Sequence, residues 1–229
     1  MKKVLILGGN SDIGIKLIDK LIKTKNHELH IHYNKKFPKK KYGNKIKLIK
    51  KNLLNINIKN LSDSFDNNYD IIINLVGYVS NQSFSNFSIK ETQKTILINS
   101  LIPLIIIRKS IQNMTKKKYG RIINTSSVGI KFGGGINTFS YSISKHLNEF
   151  IPGEIRRLCS NNILYNTLRI GVTDTKFHNK VKSKSMKERI KLIPIKKMAT
   201  TKDIVEYIFY LILVNNFITN EVINITGGE

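Results

Sequence analysis

Tyr141 and Lys145 stand four residues apart in the run Tyr141-Ser142-Ile143-Ser144-Lys145. On a helix that spacing places both side chains on one face. An ammonium beside a phenol favours the phenolate and lowers the tyrosine's pKa. Ser127, the second of the pair Ser126-Ser127, can bring a hydroxyl to the same reacting oxygen from a neighbouring strand end. Phenol, ammonium and hydroxyl together make an acid/base site suited to a carbonyl or an alcohol. The same Tyr–Lys spacing also occurs on ordinary solvated helices, so the reading depends on the elements around it.

Those elements alternate. Arg121 to Thr125 is short, β-branched and apolar after the Tyr119-Gly120 turn, and reads as a buried strand. Three glycines, Gly133 to Gly135, separate it from a helix running from Tyr141 to Leu158. Further strands are expected at Lys3–Leu7, Leu29–Tyr33, Ile46–Ile49, Asp70–Leu75, Ile163–Arg169 and Val222–Ile225. Helices are expected at 12–23, weakly at 60–65, at 88–114, as a short lid element at 184–191, and at 201–214 behind a Thr200 or Thr201 cap. This alternation predicts an α/β fold: one Rossmann-type domain over 1–229, doubly wound, with a mainly seven-stranded parallel sheet and helices on both faces. Pro152-Gly153 interrupts the helix that starts at Tyr141 and predicts a kink or break near Phe150. Ligands of such sheets lie beyond the carboxyl ends of the strands, and Gly8, Asn74, Ser127 and Gly171 all fall just past strand ends.

The composition bounds the function. The chain has 229 residues, 41% of them apolar, and one cysteine, Cys159, which leaves no internal disulfide and no cysteine-only metal site. No His, Cys and carboxylate cluster suggests a metal. Residues 101–107 and 208–214 are the most apolar helical patches, and both fall short of the roughly 20 residues that span a bilayer. The start, MKKVLIL, meets a glycine turn and reads as a first strand rather than a leader, so a cytoplasmic location is expected. The net charge of +24 keeps nucleic-acid binding open as an alternative, but the lysines are dispersed among many Asn and Ile. Residues 35–51 carry nine lysines and no acid. Residues 176–197 carry nine Lys/Arg against the single acid Glu188, and form the expected basic lid over a substrate.

The turn between the first strand and first helix reads Gly8-Gly9-Asn10-Ser11-Asp12-Ile13-Gly14. Glycine lets the backbone approach a pyrophosphate, and the helix start offers free N–H groups and a positive dipole end. After the second strand the chain reads Tyr33-Asn34-Lys35-Lys36, without the acid that meets an unphosphorylated ribose. Lys35 and its neighbours suit a 2′-phosphate, which favours NADP(H) over NAD(H), though they also belong to the solvated basic run.

With these motifs in hand, the chain resembles the short-chain dehydrogenase/reductase family over essentially its whole length. The family's TGxxxGxG corresponds to Leu7 through Gly14: Gly8 and Gly14 match, Leu7 replaces the threonine and Asp12 the middle glycine. Its NNAG corresponds to Asn74-Leu75-Val76-Gly77, and its adenine-contacting Asp to Asn52, followed by Leu53. Its PG motif becomes Ile170-Gly171, followed by Val172, Thr173, Asp174 and Thr175. The resemblance implies a catalytic tetrad of Asn99, Ser127, Tyr141 and Lys145. Ser127 polarises a carbonyl, Tyr141 donates the proton, Lys145 lowers the tyrosine's pKa and holds the nicotinamide ribose, and Asn99 holds a relay water. Cofactor contacts are implied at Gly8, Asn10, Ser11, Asp12, Ile13, Gly14, Asn34, Lys35, Asn52, Leu53, Asn74, Val76, Gly77, Tyr141, Lys145, Gly171, Thr173 and Thr175.

The family's commonest bacterial activity, reduction of 3-oxoacyl-acyl-carrier-protein, is the leading expectation for the substrate. Lys117, Lys118 and Arg121 are expected to extend a docking surface for an acidic carrier. A sugar or other specialised-pathway ketone is one alternative, and a non-enzymatic nucleic-acid-binding or regulatory protein on the same fold is another. The family also implies a homodimer or homotetramer, in which the broken helix after Tyr141 would alter the interface.

Overall fold

The run KKVLIL forms β1 (Lys2–Leu7), and its alternation sorts the core into two layers. Val4 and Ile6 enter one buried cluster, Leu5 and Leu7 the other. Period-two side-chain direction on a strand buried on both faces produces this split. The structure is a computed structural model, which describes residues 1–37, 42, 44, 46–57, 59, 64–181 and 185–229. The weak helix expected over 60–65 falls mostly outside these residues.

Six more strands pair with β1 in a seven-stranded sheet: β2 (His27–Tyr33), β3 (Ile46–Lys50), β4 (Ile71–Asn74), β5 (Gly120–Ser127), β6 (Ile163–Ile170) and β7 (Val222–Ile225). Their order is β3-β2-β1-β4-β5-β6-β7, and every pairing is parallel. The expected doubly wound fold is therefore the observed one, with the switch between β1 and β4.

Helices cover both faces. α1 (Asp12–Lys23) lies on the Val4 and Ile6 side, capped by Ser11, whose Oγ accepts the Gly14 N–H at 3.1 Å. On the other side, α2 (Ile89–Ile96), a π turn (Leu97–Leu101) and α3 (Ile102–Lys117) form one continuous helical run. By length and composition alone that run could cross a membrane, which the short patch at 101–107 did not suggest. Its apolar face, however, is taken up by the core, where Ile102, Ile106, Ile107 and Met114 are buried against Leu5, Ile72 and Ile122.

The helix expected from Tyr141 is broken where Pro152 predicts. α4 (Phe139–Leu147) stops, and α5 (Gly153–Arg157) restarts with Pro152 as its N-cap. A short helix, α6 (Met186–Leu192), follows β6. α7 (Thr201–Leu213) closes the α1 face behind a Thr200–Asp203 capping box.

One expectation fails on topology. Lys117, Lys118 and Arg121 flank the start of β5, at the amino ends of the strands. Ser127 is at the other end, roughly 20 Å away at about 3.3 Å per residue. Lys117 is bonded to buried Asp70 at 2.7 Å, and the buried Arg121 guanidinium donates to the Gly120 and Asn162 carbonyls. These residues cannot extend a docking surface at the site.

Candidate active site

The carboxyl ends of the strands enclose a cleft of about 2110 Å³. Small-molecule pockets typically hold about 300–1,000 Å³, so a dinucleotide and a second molecule fit together. Of the expected site residues, Gly14, Asn74 and Asn99 do not line this cleft, whereas all the others do.

Ser127 ends β5, and Tyr141 and Lys145 come from α4, which packs across the same strand. Ser127 Oγ accepts the Gly129 N–H at 3.3 Å and turns toward the cleft beside Tyr141, near enough to favour the phenolate. Serines bring α4 this close: Ser140, Ser142 and Ser144 are buried, small enough to approach the sheet, and each hydroxyl must find a partner. Ser140 meets Thr92 at 2.8 Å, and Ser144 meets Asn99 at 2.9 Å. The Ser144 carbonyl accepts from Ser100 at 2.7 Å. Ser126, the other member of the serine pair, donates to the Lys145 carbonyl at 3.1 Å and so serves the scaffold rather than the cleft chemistry.

The Lys145 ammonium is buried and donates to the Val76 carbonyl at 2.9 Å and the Thr125 carbonyl at 3.0 Å. Burial pushes its pKa down to about 7. Burial also raises the Tyr141 phenol, and the nearby Ser127 hydroxyl works in the other direction. The expected net lowering of the tyrosine by its lysine is therefore not what the geometry gives. Lys145 Nζ lies 5.7 Å from the centre of the Tyr141 ring, committed to backbone carbonyls, and desolvation outweighs it.

Asn74 and Asn99 act behind the wall. Asn74 donates to Asn124 Oδ1 at 2.7 Å and accepts the Val76 N–H at 3.1 Å, fixing the turn that presents Val76 and Gly77. The Asn99 amide nitrogen donates to the Tyr78 carbonyl and to Ser144, while its oxygen accepts the Tyr78 N–H at 2.7 Å. Its backbone carbonyl accepts from the amides of Asn74 and Asn148. The Asn99 side chain is thus a clamp between the β4 loop and α4.

At the other end of the cleft, Gly8 has a left-handed backbone with φ +72°, in which its missing Cβ leaves the Leu75 carbonyl clear. A Cβ on Gly14 would stand 2.6 Å from the Gly9 carbonyl oxygen, so the helix can start this close to the turn only with glycine. The N–H groups of Asp12 and Ile13, at the first positions of α1, have no intrahelical acceptor and suit a phosphate. Asn10 donates to the Lys36 carbonyl at 2.9 Å and holds the Asn34–Lys36 segment over the loop. Asn52 caps the turn carrying Leu53 by accepting the Leu54 N–H at 3.2 Å. Gly171, Thr173 and Thr175 line the third side, with Thr173 bonded to the Gly171 carbonyl and Thr175 to the Thr173 carbonyl. This donor set fits a nicotinamide dinucleotide.

Several residues join the site without a sequence signal that singles them out. Phe177 packs on the Tyr141 ring with 5.6 Å between centroids, and lies over Gly77. Buried His32 accepts the Gly8 N–H at Nδ1 (3.3 Å), which leaves its Nε2–H to donate to the Lys51 carbonyl (3.0 Å). Burial pushes its pKa down to about 4, so the imidazole is neutral. From α6, Arg189 pairs with Glu229 at 2.5 Å, and both line the cleft.

Comparison with known proteins gives a consistent picture. A family model described as enoyl-(acyl carrier protein) reductase matches residues 54–229. The chain is similar to the 3-oxoacyl-[acyl-carrier-protein] reductase FabG of Aquifex aeolicus (strain VF5). The two are 27% identical over 197 residues, covering 82% of this chain and 78% of that one. Among solved structures it is similar to a 4-hydroxyisoleucine dehydrogenase mutant complexed with NADH and succinate: TM-score 0.85, 26% identity, 99% of this chain and 98% of that one. It shares its fold with ElxO with NADP bound, at TM-score 0.80 and 22% identity over 99% and 98% of the two chains.

Proposed function

Because the chain belongs to the short-chain dehydrogenase/reductase family, we propose that it reduces the keto group of a 3-oxoacyl thioester, using NADPH. It is an NAD(P)-dependent oxidoreductase. The observation that carries the finer reading is the convergence of the Ser127 hydroxyl and the Tyr141 phenol on the cleft wall, with buried Lys145 four residues on. The FabG relatives support the thioester, and the basic lid suits an acidic carrier.

When bound, the nicotinamide supplies the hydride. Gly8, Asp12, Ile13 and the Asn34–Lys36 segment would hold its nucleotide half, with Lys35 and Lys36 facing a 2′-phosphate. Asn52 and Leu53 would border the adenine, and Val76, Gly77, Thr173 and Thr175 the nicotinamide end. Ser127 donates a hydrogen bond to the substrate's carbonyl oxygen and polarises it. Tyr141 passes its proton to that oxygen as negative charge develops. The Lys145 ammonium favours the phenolate left behind, and Asn99 keeps α4 in register with the β4 loop. A homodimer or homotetramer belongs to the same reading, since Leu101, Leu147 and Phe150 stand exposed around the broken helix.

The description of the matching family model favours a second reading, reduction of an enoyl thioester. The hydroxyl–phenol pair supports a carbonyl instead, because it is built to bond and protonate an oxygen. A panel of 3-oxoacyl and trans-2-enoyl thioesters with NADPH separates the two. We expect oxidation of NADPH with the former and none with the latter. Tyr141→Phe should cut turnover by at least about a thousandfold while NADPH still binds, in line with the usual contribution of a general acid.

A further inference from the structure

Asp12 occupies the position that is glycine in the family's nucleotide motif, and its side chain does something a glycine cannot. Its Oδ2 accepts the backbone N–H of Lys176 at 2.7 Å, across 164 residues of chain. Asp12, Asp174, Thr175 and Lys176 line a small hollow where the nucleotide loop meets the segment after β6. The start of that segment is bridged to the residue before Thr200, where the Asp174 N–H donates to the Ala199 carbonyl and the Ala199 N–H to the Val172 carbonyl, both at 2.9 Å; past Asp174 the other bonds are local, such as His178 Nε2 to the Thr173 carbonyl at 2.9 Å. The residue after Lys176 is Phe177, whose ring rests on Tyr141 and over Gly77. One peptide unit therefore separates the Asp12 contact from the cover of the catalytic tyrosine.

We propose that Asp12 is a positioning residue that ties the Thr175–His178 segment to the nucleotide loop and so seats Phe177 against Tyr141. The proposal rests on reading the cleft as a nicotinamide-dependent reductase site. Its electrostatics set Asp12 apart from an ordinary loop residue. A carboxylate at the start of α1 repels a phosphate bound there, whereas the free N–H groups attract it. Asp12 therefore weakens cofactor binding slightly while building the substrate side, and its removal moves the two in opposite directions.

The test uses the full chain with Asp12→Ala and Asp12→Asn, each checked for an unchanged melting temperature. In Asp12→Ala, NADPH binding measured by fluorescence titration should hold or tighten. The KM for the carbonyl substrate should rise roughly tenfold, the loss expected when one charge-assisted hydrogen bond disappears. Limited trypsin digestion reads the tether without any substrate. Cleavage after Lys176 should speed up roughly tenfold in Asp12→Ala, because cleavage follows the population of the open segment. The Asp12→Asn variant keeps an acceptor oxygen on the side chain and should be cleaved at close to the native rate. Equal cleavage of all three proteins would overturn the proposal. So would a parallel loss of cofactor and substrate binding in Asp12→Ala, which would make Asp12 a purely structural loop residue. If the native protein fails to bind NADPH, the reductase reading falls, while the digestion still decides whether the tether exists.

Discussion

Tyr141 keeps its proton in neutral solution because burial raises its pKa further than the nearby Ser127 hydroxyl lowers it. Lys145, pushed down to about 7, is the group that changes charge near neutrality. Its ammonium favours the phenolate formed as the proton leaves, and it is present below that value and lost above it. Carbonyl reduction is therefore expected to fall, by roughly tenfold, as pH rises through about 7, with no separate break near the ordinary phenol value of about 10. In Lys145→Met the rate should be low and flat over that range, which a pH–rate profile of both proteins would check. His32 makes a stability prediction. Its pKa, about 4 in the folded protein, lies below the ordinary 6.5, so between those values the unfolded chain holds the proton and the folded chain does not. Stability is then present above about 6.5 and lost as pH falls toward 4, by roughly 2 kcal/mol between pH 7 and pH 5. His27 and His30 are also lowered by burial and add in the same direction, so the difference in slope against His32→Gln in urea unfolding isolates the one residue. At this scale the sequence is informative where chemistry is local. Tyr141 and Lys145 are neighbours on one helix, and the glycine turn is a single stretch. Phe177, His32 and the Arg189–Glu229 pair reach the site from distant parts of the chain, and nothing in their immediate surroundings marks them.

α4 is placed by hydroxyls and amides more than by apolar packing. The clamp that matters most is Asn99, in the π turn between α2 and α3. Replacing it with alanine leaves the part-buried Tyr78 N–H and carbonyl without their Asn99 partners, and the Ser144 hydroxyl with only the Tyr141 carbonyl. Asn99→Ala should cost about 2–4 kcal/mol in chemical unfolding, and should lower turnover through displacement of Tyr141 and Lys145. A neutral result in both measurements would contradict the clamp. Strands and helices were legible because each carries its own period: α1 and β7 match their expected bounds, and the other main elements differ by a few residues at most. The break at Pro152 was legible from one residue, since proline supplies no N–H to a helix interior. The π turn was not, because it depends on side chains, Asn74 and Asn148, that lie far off in sequence and meet the Asn99 carbonyl only once the sheet has formed.

Across the whole molecule, part of the net charge of +24 stands at the cleft, on Lys16, Lys35, Lys36, Lys176 and Arg189, whereas Lys117, Lys118 and Arg121 lie at the opposite ends of the strands. Composition reveals the excess, but only topology says which lysines share a rim with Ser127. Long-range attraction of this kind acts on encounter rates and is screened within about 10 Å at 0.1 M salt. Raising NaCl from about 50 to 500 mM should lower kcat/KM for an acidic carrier-bound substrate by roughly tenfold. A short uncharged thioester should be nearly unaffected, and equal sensitivity of the two would remove the lid from carrier recognition. The most direct test of the central claim is the rate of NADPH oxidation by the purified protein with a 3-oxoacyl thioester, run beside Tyr141→Phe. The account predicts steady turnover in the native protein, and in the variant retained NADPH binding with turnover lost. No NADPH oxidation by the native protein, or undiminished turnover in Tyr141→Phe, would contradict it.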